Sequence, residues 1–327
     1  MGDKGSSVLE AYDLTVNRTY KGRGALICET NQGLKILREY HGSAAKLQMQ
    51  DEMLSHIGRK GFFRVDFFVH NKEGGLLTTD ASGTPYVLKD CCEGKECDVK
   101  NPAELRLAAK NLALLHQAMQ IPQLCTVPMY FHSIKRESEK HTRELKKIRD
   151  FIQARSKKSE FELYFIRNFN LFYGQALEVS SSMTGWDEKT FLHGIFESGQ
   201  LCHGEYVHHN IMIGKQGISV INFERFLADT RVRDLYQFMR KVLEKNNWEE
   251  RTGFLLLESY EEESLLLSEE KRNLYFRLAY PEKFWKVANY YYNSNKALVP
   301  DKNIDKLKTL VNQNDARERF LKQLVRY

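Results

Sequence analysis

The sequence of 327 residues contains no long uncharged apolar run, and its mean hydropathy is -0.52, so a membrane-spanning helix is excluded. Its 6 Pro and 20 Gly are scattered along the chain, which excludes a collagenous or low-complexity polymer. Six cysteines (Cys28, Cys91, Cys92, Cys97, Cys125 and Cys202) form no C-x-x-C pair, and no signal-peptide pattern precedes them. A disulfide framework and a cysteine zinc site are therefore not expected, and a reducing cytoplasm is. No internal repeat is visible. At this length the chain is expected to fold as two lobes or two domains.

Charge of one sign is scarce everywhere but in one segment. Lys and Arg number 49 against 43 Asp and Glu, a net of +6. Ten basic and four acidic residues between Lys135 and Lys158 account for all of it. Within that segment Leu145, Ile148, Phe151 and Ile152 fall at helical spacing, which describes an amphipathic helix with a solvated basic face. The alternative is a surface for nucleic acid or another anionic polymer, and it ranks behind the solvated face.

The first ninety or so residues read as short strands with one helix. Strands are expected on both sides of Gly22-Arg23-Gly24, at Gly33–Leu37, and then at Phe62–Val69, Gly75–Thr79 and Pro85–Leu88. A helix starting at Ser43 carries Ala44, Leu47, Leu54 and Ile57 on one face and ends at Gly58. Beyond Glu93-Gly94-Lys95 long helical patterns take over, so one lobe is placed at residues 1–93 and the other at 94–327. Asn101-Pro102-Ala103-Glu104 has the form of a helix start, with Pro at the first helical position. Further helices are expected over Thr142–Ala154, Glu160–Leu177 and Asp187–Glu197, from Asp234, and through the tail from Ser268.

The chemistry concentrates at 203–224. Two apolar runs, Ile211-Met212-Ile213 and Ile218-Ser219-Val220-Ile221, flank Gly214-Lys215-Gln216-Gly217, which makes a hairpin. A hairpin returns the chain to its starting point, so Asn210 and Asn222 should be neighbours, with Glu205 on the entering loop. Phosphoryl transfer from a nucleotide needs such a set: a carboxylate to orient the acceptor hydroxyl, and an Asn plus a second oxygen ligand holding Mg²⁺ on the phosphates. The kinase pattern has an Asp and an Asn at this same spacing, then a metal-binding Asp directly before Phe. Here Glu205 replaces the first Asp and Asn222 the second. Glu205 and Asn210 are then the candidate catalytic pair, and Asn210 and Asn222 the candidate metal ligands. His203, His208 and His209 suggest a second metal site only weakly, since adjacent loop histidines more often serve as hydrogen-bonded structure.

On Cys202-His203-Gly204-Glu205-Tyr206, His208-His209-Asn210, Arg231-Val232-Arg233-Asp234-Leu235 and the stretch Tyr280-Pro281-Glu282-Lys283-Phe284-Trp285, the sequence resembles the CotS family of spore-coat proteins. That family lies within the kinase-like superfamily of aminoglycoside and choline phosphotransferases. The resemblance implies an α/β (α+β) two-lobed protein-kinase-like fold, with a small antiparallel-sheet lobe and a mainly helical one. It also implies that Lys35 reaches nucleotide phosphates with Glu52 as its partner, and that Gly22 and Gly24 form the phosphate-covering turn. The segment Lys89–Cys92, with Lys89 and Cys91 foremost, would be the hinge facing adenine. His203 and Asp234 would brace the catalytic loop. From Phe284 to Tyr292, the shared helical face of Phe284, Val287, Ala288 and Tyr291 points to core packing.

Three functions follow in order. The first is a degenerate, pseudokinase-like coat protein that binds other spore-coat proteins, made in the mother-cell cytoplasm and deposited on the spore. The second is an active phosphotransferase using ATP and Mg²⁺ on a small hydroxyl-bearing molecule or a coat component. The third is an anionic-polymer binder acting through the 135–158 helix.

Overall fold

The computed structural model describes residues 6–22, 24–62, 64–121, 133–293 and 302–327; Arg23 of the first turn and Cys125 lie outside them. Val16–Gly22 (β1), Ala25–Thr30 (β2) and Gly33–Glu39 (β3) form an antiparallel meander, followed by the helix Ala44–Arg59 (α1). Two short strands, Phe68–Val69 (β4) and Thr78–Thr79 (β5), precede Pro85–Asp90 (β6), which joins β3 and gives the strand order β1-β2-β3-β6-β4. Ser43 caps α1 by accepting a bond from the Lys46 N–H.

The β3–β6 register decides what faces the rest of the molecule. Directly opposed residues share a face, and alternate residues take the other one. Lys35 pairs with Asp90 and Leu37 with Leu88 on one face. Leu37 and Leu88 there pack with Cys28 and Tyr86 beneath Val8, Leu9 and Tyr12 of the N-terminal 3-10 turn. Ile36 pairs with Lys89 and Arg38 with Val87 on the opposite face, the one turned toward the helical lobe.

The strand expected over Phe62–Val69 is reduced to its last two residues. Val65 instead makes a parallel bridge to Val220, and the Asp66 side chain is drawn into an ion pair. The chain then leaves the sheet through Gly94, whose φ is +146° and whose missing Cβ would lie 2.7 Å from the Ile213 carbonyl oxygen. Only glycine fits that crossing. Lys95–Glu96 (β7) immediately pairs with the hairpin of the helical lobe.

That lobe begins with Pro102–Ala118 (α2), capped by Asn101. Ile134–Ala154 (α3), Glu160–Ser182 (α4) and Glu188–Glu197 (α5) follow, then Leu201–Cys202 (β8), the hairpin Ile211–Gly214 (β9) and Gly217–Val220 (β10), and Leu227–Ala228 (β11). Val232–Lys245 (α6), Glu250–Glu261 (α7), Ser268–Ala279 (α8), Glu282–Asn293 (α9), Lys302–Asn312 (α10) and Asn314–Leu324 (α11) complete it. α3 starts well before Thr142, because Ser133 caps it and the Glu188 carboxylate accepts the Ile134 N–H at 2.6 Å. Its Leu145, Ile148 and Ile152 pack against Phe165 and Phe172 of α4 and Phe284 and Val287 of α9, so the aromatic stretch of α9 is core. Phe151 is an edge residue instead, set edge-on to Tyr292 at 5.3 Å. The basic side chains thus line the outside of a helix that is held by its apolar stripe. Among the described residues no helix is long and apolar enough to cross a membrane.

Candidate functional site between the lobes

The hairpin brings Asn210 and Asn222 together: the Asn222 Nδ2 donates to Asn210 Oδ1 at 2.8 Å. Asn222 adopts a left-handed backbone, φ 67° and ψ 61°, which Asn tolerates better than most residues. Asn210 Nδ2 in turn donates to the backbone carbonyl of Glu205 at 2.9 Å. Glu205 therefore meets the pair through its main chain. Its carboxylate is turned to Arg225, with Nε and Oε2 3.3 Å apart, in a pair that is largely exposed.

Arg38 completes the set from the sheet. Its Nη1 donates to Asn222 Oδ1 at 2.7 Å, so the hydrogen bonds run from guanidinium to Asn222 to Asn210 to the Glu205 carbonyl. Beside them Lys89, almost fully buried, bonds Asp66 Oδ2 at 2.9 Å and Glu224 Oε1 at 3.2 Å. Burial would lower the Lys89 pKa, but the two carboxylates raise it above its ordinary value. Burial likewise pushes Glu224 up, yet the Lys89 charge holds it below the usual carboxylate value. Asp66 Oδ2 also accepts the Asn222 N–H at 3.1 Å.

Several expected roles need correction. Lys35 does not reach this site: it lies on the far face of β3 and its ammonium is bound to Asp90 at 2.6 Å. Arg38, three residues on and hence on the opposite face, takes the position facing the hairpin. Glu52 is not the partner of Lys35; it is exposed and accepts from Gln48 at 3.2 Å. Gln50 is the polar side chain buried with Leu47, Met53, Leu54 and Ile57 on the inner face of α1. Lys89 spends its side chain on ion pairs, and its peptide lies in the sheet opposite Ile36 and Phe68. The Cys91 N–H is bound to the Leu34 carbonyl. Gly22 and Gly24 lie at the tip of the β1–β2 hairpin. Arg38, Asp66 and Gln50 were missed, although each left a signal: a charge or amide set inside an otherwise apolar strand, run or helix stripe.

Behind the loop the arrangement is of another kind. Asp234, fully buried, accepts the His203 N–H at 2.7 Å, the Gly204 N–H at 2.9 Å and the His116 ring at 3.1 Å. Burial alone would raise its pKa, but the His116 hydrogen bond and charge bring it below the ordinary carboxylate value. His203 accepts the Glu205 N–H on Nδ1 and donates from Nε2 to the Ile221 carbonyl, and burial lowers its pKa, so the ring is neutral. Gly204 has φ +81°, and a Cβ there would lie 1.9 Å from the Arg225 carbonyl oxygen. His116, Cys202 and Asp234 are close enough to ligate a metal. Their atoms are already committed, since the Cys202 thiol donates to the Asp229 and Thr230 carbonyls and burial pushes its pKa well up. His208 accepts from Lys245 at 2.8 Å with its pKa lowered to about 4 by burial, and His209 binds Glu96. The loop histidines are structural.

This loop, braced from behind by a buried Asp and followed by a hairpin that returns Asn222 to Asn210, matches one family over residues 6–324, described as spore coat putative kinase YutH. The chain belongs to that family. Its fold is that of the kinase-like aminoglycoside phosphotransferases. The aminoglycoside phosphotransferase from Alicyclobacillus acidocaldarius superposes with a TM-score of 0.90 at 18% identity, covering 100% of this chain and 96% of that one. Spectinomycin phosphotransferase, in complex with ADP and spectinomycin, gives 0.66 at 12% identity with 98% and 97% covered. Amicoumacin kinase, in complex with AMP-PNP and Ca²⁺, gives 0.60 at 12% with 96% and 92% covered. At these identities the likeness is one of fold.

In this family member the donor set does not fit Mg²⁺. The ion prefers one or two carboxylates in octahedral geometry. Asn210 and Asn222 offer neutral amide oxygens, each already accepting an N–H, and one of those N–H groups belongs to a guanidinium. A doubly charged ion sharing that oxygen, about 4 Å from the guanidinium, would meet a repulsion on the order of 8 kcal/mol at an effective dielectric of about 20. Glu224, the half-exposed carboxylate two residues on, has its Oε1 paired with Lys89 at 3.2 Å.

Proposed function

We propose that this spore-coat family member is a kinase-like protein that has given up metal-dependent phosphoryl transfer. It keeps the interlobe cleft as a nucleotide-binding element and acts in coat assembly by holding other coat proteins. The lobes would be residues 1–93 and 94–327, with synthesis in the mother-cell cytoplasm and deposition on the spore coat. The reading is supported by the family match and by the ADP and AMP-PNP bound to relatives of the same fold. One observation carries it: the two positions expected to hold the cation are a hydrogen-bonded pair of neutral amides, one of them already accepting from a guanidinium.

An active phosphotransferase is the second reading, favoured by the exposure of the Glu205–Arg225 pair. Exposed pairs are worth about 0–1 kcal/mol, so the Glu205 carboxylate is released at little cost. A positioned general base contributes on the order of 10² to 10⁴ in rate. The two readings separate in one assay that follows melting temperature and ADP release in ATP and Mg²⁺ with small hydroxyl-bearing acceptors. The proposal expects a rise in melting temperature without ADP release. Release that Glu205→Ala abolishes would establish the phosphotransferase instead.

A further inference from the structure

The misfit of Mg²⁺ raises the question of what neutralises a polyphosphate in this cleft. We infer that Arg38 stands in the cation's place, so that the site binds the phosphates of a nucleoside di- or triphosphate without any divalent metal. The inference rests on the nucleotide reading above and adds to it the means of recognition.

In a metal-dependent kinase the ions bridge the phosphate oxygens and cancel their charge. Arg38 brings a permanent positive charge to the same amide oxygen that the cation would need. A guanidinium is a planar fork suited to bidentate phosphate contacts and is always protonated. Only part of that fork is used within the protein. Nη1 is on Asn222, whereas Nε is buried with no acceptor among the described residues. Buried donors are rarely left unpaired, because each costs as much as a lost hydrogen bond. A buried guanidinium N–H without an acceptor is what an oxygen-rich anion relieves and what a metal ion cannot. The amide chain supports the arrangement. Asn222 Oδ1 holds the guanidinium through a neutral acceptor, where the Asp of the kinase pattern would form an ion pair; the half-exposed Glu224 carboxylate feels the Arg38 charge but has its own bond to Lys89.

The experiment is calorimetric titration of ADP into the full-length protein, once with Mg²⁺ and once in EDTA. The expected result is binding in both, with dissociation constants within about threefold of each other. Arg38→Gln should weaken both by roughly tenfold or more, the effect of losing one charged hydrogen bond. Wild-type binding that is at least tenfold tighter with Mg²⁺ than in EDTA would overturn the inference and leave the nucleotide reading standing. An absence of binding in both conditions would overturn the nucleotide reading, and the inference with it. The wild-type pair of titrations decides the metal question even where Arg38→Gln fails to fold. In a folded Arg38→Gln protein, unchanged affinity would also overturn it.

Discussion

Behind residues 203–210 a fully buried Asp234 takes up two backbone N–H groups and the His116 ring. In front of the same residues stand Asn222 and Glu205, where the kinase pattern has Asp, and Arg38 reaches Asn222 from β3. The back of the loop secures backbone geometry and depends on desolvated charge. The front is half-open, and the two side chains at the cation position are neutral amides bonded to each other and to a guanidinium. Fold and chemistry can therefore part company within one loop, because the bonds that shape the loop are not those that would hold the ion.

The strongest challenge to this contrast is Asp234→Ala. It strands three buried donors at about 1–3 kcal/mol each, so destabilisation on the order of 5 kcal/mol is expected in urea unfolding. A loss under about 1 kcal/mol would remove the distinction between the two sides. Lys89→Met comes next, at about 3 kcal/mol, because it leaves the buried Asp66 carboxylate without its cation, while the half-exposed Glu224 turns to water at little cost. The pH dependence sharpens this second case. Glu224 has its pKa lowered in the folded state, so its contribution is present above the ordinary carboxylate value of 4.5 and is lost as pH falls through the folded value. The gap between wild type and Lys89→Met should be widest near neutral pH and narrow as pH falls below the ordinary value of 4.5, as read from unfolding curves across that range.

Much of this was legible in the residues. Gly214-Lys215-Gln216-Gly217 between two apolar runs fixed a hairpin, and a hairpin has to bring Asn210 back to Asn222. Ser43 and Asn101 marked helix starts because short polar side chains satisfy the first free N–H groups. Lys35 misled because a basic residue at a strand's start matches a motif by position, while strand alternation decides which face it occupies. The odd spacing to Arg38 puts the two on opposite faces, and only the burial of Leu37 and Leu88 under the N-terminal turn shows which face is outward. The direction of the Glu205 side chain was not legible either, since it depends on Arg225, placed nearby by a 3-10 turn that no periodicity announces.

The central claim is that the front of the loop holds no divalent cation. Titration of Mn²⁺ into the nucleotide-free protein, with the free ion followed by its EPR signal, tests it most directly when wild type is run beside Asn222→Ala. Identical curves for the two proteins are predicted. One equivalent of Mn²⁺ bound by wild type and lost in Asn222→Ala would contradict the account.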